Sequence, residues 1–424
     1  MNKKTIIHIL YIILNFLLFM MPYYLTKKGN HSRNTGATII LVLSVLWVIL
    51  NKKFEIDKKI IITILGFLSF MTISLLLRED HPKYMLKIYF DLVVAVFLFI
   101  GITQLDISEK FFKYFPLLMS IFLIFPIVRA FFEWGDQDFS ATYRIIGDNW
   151  PSVFSVEMGL LILVPMIAFF YEKKLIIQIF YILVSSMGYF VIVITQTRAI
   201  IVIIPFIFLI LTIYKKKKII LMILMSVFLL LLFFLGGGTK SYFQRFNQEN
   251  NDGRYSTMIR MKIYERSLQL GKESKFMGIG FENYHNYSIK HEPYFPEYVD
   301  YNNFELKIPA YQIPVNDETV KIWGYILTEH LHNNFLEVLI TQGILSFIFY
   351  VSSIFYIFKN LIISLKKKRG ISEQCIVLGI LGLFFICIHG ILETNLYMIK
   401  ANQILYIFLG LALNKKSEKL RKNN

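Results

Sequence analysis

Apolar windows long enough to cross a bilayer recur along nearly the whole of this 424-residue chain, and no other feature limits its fold so strongly. A helix rises about 1.5 Å per residue, so roughly 20 residues cover the roughly 30 Å of hydrocarbon in a membrane. About twelve such windows can be placed: the first at 5–25, the second at 35–50, the eighth at 199–213, the ninth at 219–235, and the last three at 344–363, 374–394 and 398–413. With 56% hydrophobic residues, 40 Phe and only 17% charged residues, soluble domains could not hide this surface. The sequence therefore predicts an all-α polytopic membrane protein of about twelve transmembrane helices, in contact with membrane lipids.

Lys3 and Lys4 precede the first window, which runs too long for a signal-peptide core and ends in no small-x-small cleavage site. It reads as an uncleaved span with a cytoplasmic amino terminus. Counting alternately, the cytoplasmic segments then carry Lys52, Lys53, Lys58 and Lys59, the pair Lys173 and Lys174, Lys215–Lys218, Lys366–Arg369 and the basic tail. That is the positive-inside pattern, broken only by Lys27, Lys28 and Arg33 in the first outer loop. It accounts for most of the net charge of +16 without a nucleic-acid partner, for which no binding signature is present. The expected organisation is nine spans over 1–235, a large, mostly helical extracytoplasmic loop domain over 236–331, three further spans with a preceding helix over 332–414, and a cytoplasmic tail over 415–424. Both termini fall in the cytoplasm.

The loop opens on Gly236, Gly237 and Gly238 and contains Pro293, Pro296, Pro309 and Pro314. Its aromatic residues, Tyr284, Tyr287, Tyr294, Tyr298, Tyr301, Tyr311 and Trp323, can pack a small core or present flat faces to sugar rings; core packing is the commoner role. Cys375 and Cys387 share one predicted helix roughly 18 Å apart and cannot bridge. No Walker loop, dinucleotide fingerprint or metal-binding cluster appears, so no cofactor or metal is expected.

Candidate chemistry centres on TEHLHNNFLEVLITQGILSF at 328–347. If a helix starts at Asn333 or Asn334, then His332, Leu336, Leu339 and Gly343 share one face, with the histidine at its head. The positive end of a helix disfavours an imidazolium, so a neutral His332 could accept a proton. The alternative is that His330, His332 and the asparagines only satisfy helix-start backbone groups. Arg198, in ITQTRAII at the outer junction of the seventh and eighth spans, requires an anionic partner unless it snorkels to the interface. Arg254, Arg260 and Arg266 lie on one predicted helix of the loop, Arg144 precedes the sixth span, and Glu393 in HGILETNLY follows the eleventh. Arginine forks beside a neutral histidine suit a diphosphate donor with a hydroxyl acceptor, because planar guanidinium groups grip phosphate oxygens bidentately.

Thr195–Arg198, the Arg260-x-x-x-Tyr264 helix, and His330-x-His332-Asn333 followed by Leu336, Leu339 and Gly343 together resemble the O-antigen ligase family of lipopolysaccharide assembly, which shares part of this pattern with oligosaccharide repeat-unit polymerases. His-Asn, nine residues, then Gly fits His332, Asn333 and Gly343 without a gap; Ser346 stands where many members have a second glycine. The resemblance implies a glycosyltransferase that needs no metal, moving a glycan from an undecaprenyl-diphosphate-linked oligosaccharide or polysaccharide to the lipid A core at the periplasmic face of the bacterial inner membrane. It implies His332, Arg198 and Arg260 as catalytic residues, with His330, Asn333, Arg144, Arg254 and Glu393 supporting substrate binding. A polymerase would use the same donor with another lipid-linked unit as acceptor.

A diphosphate is already a good leaving group, so positive charge matters more here than a strong acid, and attack opposite its departure predicts inversion. Asp136-Gln137-Asp138 has the form of a metal-binding pair but is predicted outside, where nucleotide sugars are absent, and reads as an acidic turn. A flippase for lipid-linked sugars would also have many spans, yet transporters place their binding groups near mid-membrane, not at one boundary.

Overall fold

The computed structural model describes residues 3–26, 40, 42–47, 49–50, 56–78, 83–138, 145, 150–215, 252–291, 295, 297–300, 305–309, 312–367 and 371–414. Among these residues it is an all-α polytopic membrane protein. Nine helices are long and apolar enough to cross a membrane. They are α1 (Lys3–Thr26), α2 (Lys58–Leu76), α3 (Lys83–Gln104), α4 (Glu109–Gly135), α5 (Pro151–Tyr171), α6 (Leu175–Ile194), α7 (Arg198–Lys215), α11 (Ile344–Lys367) and α12 (Ile371–Leu392). The shorter apolar helix α13 (Ile399–Leu413) matches the last expected span. Of the remaining two expected spans, 219–235 lies outside the described residues, and 35–50 is described only in part, with helical backbone at 40, 42–47 and 49–50.

Helix boundaries follow local chemistry. Asp57 caps α2 by accepting from the Lys59 amide, Ser108 caps α4 through the Phe111 amide, and Pro151 opens α5 where its missing N–H loses nothing. Prolines inside α1, α4, α5 and α7 are tolerated because neighbouring helices enclose the backbone they disturb. The most enclosed helix is α5, whose most apolar window is 89% buried. It is apolar on every side and packs against α4, α6, α7, α12 and α13. Its one carboxylate, Glu157, is fully buried and paired with Lys400 of α13, the arrangement that lets two charges persist inside hydrocarbon.

One pairing fixes the sense of the bundle. Lys215 at the end of α7 meets Glu373 at the start of α12 at 2.6 Å, with the Tyr214 hydroxyl on the same carboxylate oxygen at 2.7 Å. Since α7 and α12 pack along each other, they run antiparallel, and Arg198 at the start of α7 lies at the same end of the bundle as Glu393 just past α12.

At that end sits a hydrophilic segment whose described residues begin at 252. Its main elements are α8 (Asp252–Glu273), α9 (Tyr284–His291), a two-residue antiparallel ladder pairing Val299 with Leu306, and a short helix widening into a π-turn over Trp323–Leu327. The aromatic residues mostly build cores, as expected. Tyr284 is buried with its hydroxyl on the Gly324 carbonyl at 2.9 Å, Tyr287 packs beside it, and Tyr298 and Trp323 pack around Ile322 and Tyr325. Tyr294, Tyr301 and Tyr311 lie outside the described residues. Arg266 is among the largest fully buried side chains, donating to the His291 carbonyl at 3.2 Å. It holds the segment together and is not available to a ligand.

A backbone junction ties this segment to the bundle. The π-turn Val338–Gln342 presents the Ile340 and Thr341 carbonyls sideways to the amides of Ile279 and Gly280, at 3.1 and 2.9 Å. The Ile344 amide returns to the Phe276 carbonyl at 2.9 Å, and Ser74 of α2 closes the junction by donating to the Thr341 carbonyl at 2.8 Å. Gly343 makes this approach possible. Its φ is +91°, and a Cβ there would stand 2.5 Å from the Met277 carbonyl oxygen. Ser346 is buried and donates to the Gln342 side chain at 2.9 Å, so the residue that departs from the family glycine is satisfied within the same turn. Gly343→Ala should cost on the order of 1–3 kcal/mol through backbone strain and collision. A clear drop in the thermal unfolding temperature of detergent-purified protein is expected, and an unchanged one would remove this explanation for the glycine.

Candidate functional site

The histidine motif does not form the helical face its spacing suggested. Asn333 is the cap, with extended backbone and its side-chain oxygen accepting from the amides of Phe335 and Leu336 at 2.9 and 3.1 Å. The helix it opens, α10 (Asn334–Glu337), lasts one turn before the π-turn widens the register. His332 precedes the cap in a left-handed conformation, φ +48°, so it does not continue the face of Leu336 and Leu339. Those leucines pack with Ile263, Leu331 and Ile340 in a small core. A histidine at positive φ is uncommon and persists only where its surroundings hold it.

What holds it is the segment between α12 and α13. The Asn333 amide donates to the Thr394 hydroxyl at 3.1 Å, and the Asn333 side chain to the Ile391 carbonyl at 3.0 Å. The Asn334 side-chain oxygen accepts from the amides of Asn395 and Leu396, at 2.9 and 3.0 Å, while its nitrogen contacts the Asn395 side chain. Gly390 leaves room for this approach, since a Cβ there would lie 2.4 Å from the Asn334 side-chain nitrogen Nδ2. Glu393 is thereby presented to the histidine.

His332 Nδ1 is in hydrogen-bond contact with Glu393 Oε1, and Arg260 Nη2 reaches Glu393 Oε2 at 3.3 Å. A carboxylate oxygen accepts, so Nδ1 carries the proton and Nε2 is left with its lone pair. The ring is therefore oriented by a carboxylate, not by a helix terminus as the sequence suggested. The Arg260-x-x-x-Tyr264 spacing places both residues on one face of α8, and the Tyr264 hydroxyl lies 3.5 Å from the His332 carbonyl. Both members of that motif thus bear on the histidine, one through Glu393 and one through its backbone. Burial by itself raises the Glu393 carboxyl, but the hydrogen bond from His332 and the positive charge of Arg260 outweigh it, holding the group below the ordinary carboxylate range.

Arg198 begins α7, directly after a tight turn in which Gln196 is left-handed at φ +56° and Thr195 donates to the Ile192 carbonyl at 2.6 Å. The Thr197 hydroxyl lies 3.5 Å from the Pro151 carbonyl, which seats this turn on the start of α5. The His330 ring packs against Tyr397 at 5.2 Å between centroids, with its Nδ1 buried. Arg144 lies outside the described residues, as does the side chain of Arg254, whose backbone is in the first turn of α8. Asp136 and Asp138 sit in the turn after α4, Asp138 at φ +52°, as an acidic turn would.

Sequence reasoning missed Thr394, Asn395 and Tyr397, and read Asn334 only as a possible helix cap. The signal was the excess of amides and hydroxyls in HNN and ETN, each beside an apolar helix where an unpaired amide is expensive.

The family model for O-antigen ligase matches residues 179–351, from within α6 into α11. The match takes in Arg198, Arg260, His330, His332 and Asn333 and stops short of Glu393. It supports the O-antigen ligase family for the chain and hence a glycosyl-transfer type of activity. No curated protein matches the sequence.

Because the Glu393 carboxyl is held low, its ion pairs add stability that is fully present above the ordinary carboxylate pKa of about 4.3 and lost as pH falls through the lower folded value. Glu393→Gln should therefore melt below wild type at neutral pH, and the gap should close only in strongly acidic buffer. Parallel melting curves at all pH values would show that the carboxylate contributes nothing there.

Proposed function

We propose that the chain is an O-antigen ligase, an inverting glycosyltransferase that moves a glycan from undecaprenyl diphosphate to a hydroxyl of the lipid A core oligosaccharide. The observation that carries this reading is the His332–Glu393–Arg260 constellation, gathered from three separate segments at the end of the bundle where Arg198 begins α7. His332 Nε2 takes the proton of the acceptor hydroxyl as its oxygen attacks the anomeric carbon, an effect worth typically a hundredfold or more. The bond from that carbon to the diphosphate oxygen breaks on the opposite face, and its electron pair leaves with the diphosphate. Arg198 and Arg260 meet the charge that grows there. Arg260 remains 39% exposed while it touches Glu393, which leaves its guanidinium accessible to an incoming ligand. Glu393 holds the histidine tautomer and offsets the charge His332 gains.

His332→Ala should abolish transfer while insertion and donor binding persist. Arg198→Lys should fail almost as badly as Arg198→Ala, because a bidentate grip needs two parallel donors and an ammonium supplies only charge. Full activity in the lysine variant with normal donor affinity would make Arg198 an interfacial anchor. In a host that makes lipopolysaccharide, deletion of the gene should leave polymer on the lipid carrier and none on the lipid A core. A core bearing a single repeat unit would replace this reading with a polymerase.

The reading requires the site to face the periplasm and both termini the cytoplasm of an inner-membrane protein, with the loop at 236–331 as a periplasmic domain. Met277, 71% exposed in that segment, gives the test. Met277→Cys should react with a membrane-impermeant maleimide in intact spheroplasts. Labelling only after lysis would invert the topology.

A further inference from the structure

One acidic residue of the histidine motif has no part in the chemistry above. Glu337 ends α10 and is completely buried, although no cation is paired with its carboxylate among the described residues. Its Oε2 accepts from the amide of Leu331, the residue between His330 and His332, at 2.9 Å. Its Oε1 accepts from the Tyr397 hydroxyl at 2.8 Å, four residues past Glu393. The Tyr397 ring in turn packs on His330 and edge-on to Phe281. One carboxyl group therefore binds the backbone just before His332 and the segment that presents Glu393. Burying an acid there is expensive, and apolar packing of the same volume would serve stability as well or better.

Resting on the proposed function, we propose that Glu337 is a positioning residue of this reaction: through the Leu331 amide and the Tyr397 hydroxyl it fixes the left-handed His332 against Glu393. Asn333 and Asn334 already tie the two segments together, but their bonds begin with the peptide after His332 and so hold the chain only on its far side. The bond to Leu331 is the one that restrains the chain on the near side of the histidine. The groups facing Glu337 are His330 and His332 from its own segment, Tyr397 from the segment after α12, and Glu282 from the junction between α8 and α9. Burial pushes the Glu337 carboxyl up, so a neutral amide is a fair replacement for it. Glutamine can accept from Leu331 with its oxygen and donate to Tyr397 with its nitrogen.

The test uses full-length protein in nanodiscs with undecaprenyl-diphosphate-linked glycan and lipid A core from a lipopolysaccharide-producing host. Tyr397→Phe, which removes one hydroxyl from a packed ring, should lower kcat about tenfold with little change in the KM for donor. It should also move the acid limb of the kcat/KM profile, which reports the base that must be free to accept the proton. Glu337→Ala should lose at least as much, and Glu337→Gln should recover most of the rate. Wild-type kcat and an unmoved acid limb in Tyr397→Phe would overturn the proposal. So would losses in both variants that only track the amount of folded protein. His332→Ala measured alongside keeps the two readings apart. Retained transfer there defeats the proposed function itself, whereas an inactive His332→Ala with an unaffected Tyr397→Phe defeats only the role of Glu337.

Discussion

The site depends on one amide side chain. Asn334 sits where a helix must start beside hydrocarbon, and its single oxygen answers the amides of Asn395 and Leu396, which follow the end of α12 and would otherwise have no partner there. Leaving one such group buried and unmet costs on the order of 1–3 kcal/mol. The contact thus sets the relative height of two chain segments that are remote in sequence. Glu393 and His332 meet because Asn334 and Asn395 do.

Electrostatically the arrangement is economical. A carboxylate, an imidazole and a guanidinium share one small region, and each lowers the desolvation burden of the next. The buried Glu157–Lys400 pair applies the same rule inside the bundle, where a carboxylate of α5 meets an ammonium in the first turn of α13. Charge in this protein is seldom left at a membrane boundary without a countercharge or an outlet to water.

Much of this was legible in the sequence, because hydrocarbon imposes a length and a composition on whatever crosses it. The last span, read at 398–413, matches α13 to within a residue for that reason. Asn333 was also readable, since a cap must carry a side-chain acceptor before an apolar run. The conformation of His332 was not. A left-handed histidine is imposed by contacts from Thr394, Asn395 and Glu337, and no local propensity marks it. The π-turn over Val338–Gln342 escaped for the same reason, so a face drawn with regular helical spacing placed Leu336 and Leu339 below a histidine that points elsewhere. Arg266 escaped too, because burial of an arginine is decided by the shape closing around it.

The pairing of Lys215 with Glu373 has a consequence for life in membranes of different thickness. Bilayers thin or thicken with composition, and single helices respond by tilting independently. Two antiparallel helices pinned at one end and packed along their length tilt as one body. Arg198 and Glu393, at the free end of that body, then rise and fall in step. The depth of these two residues can change with the lipid while the offset between them along the helix axis does not.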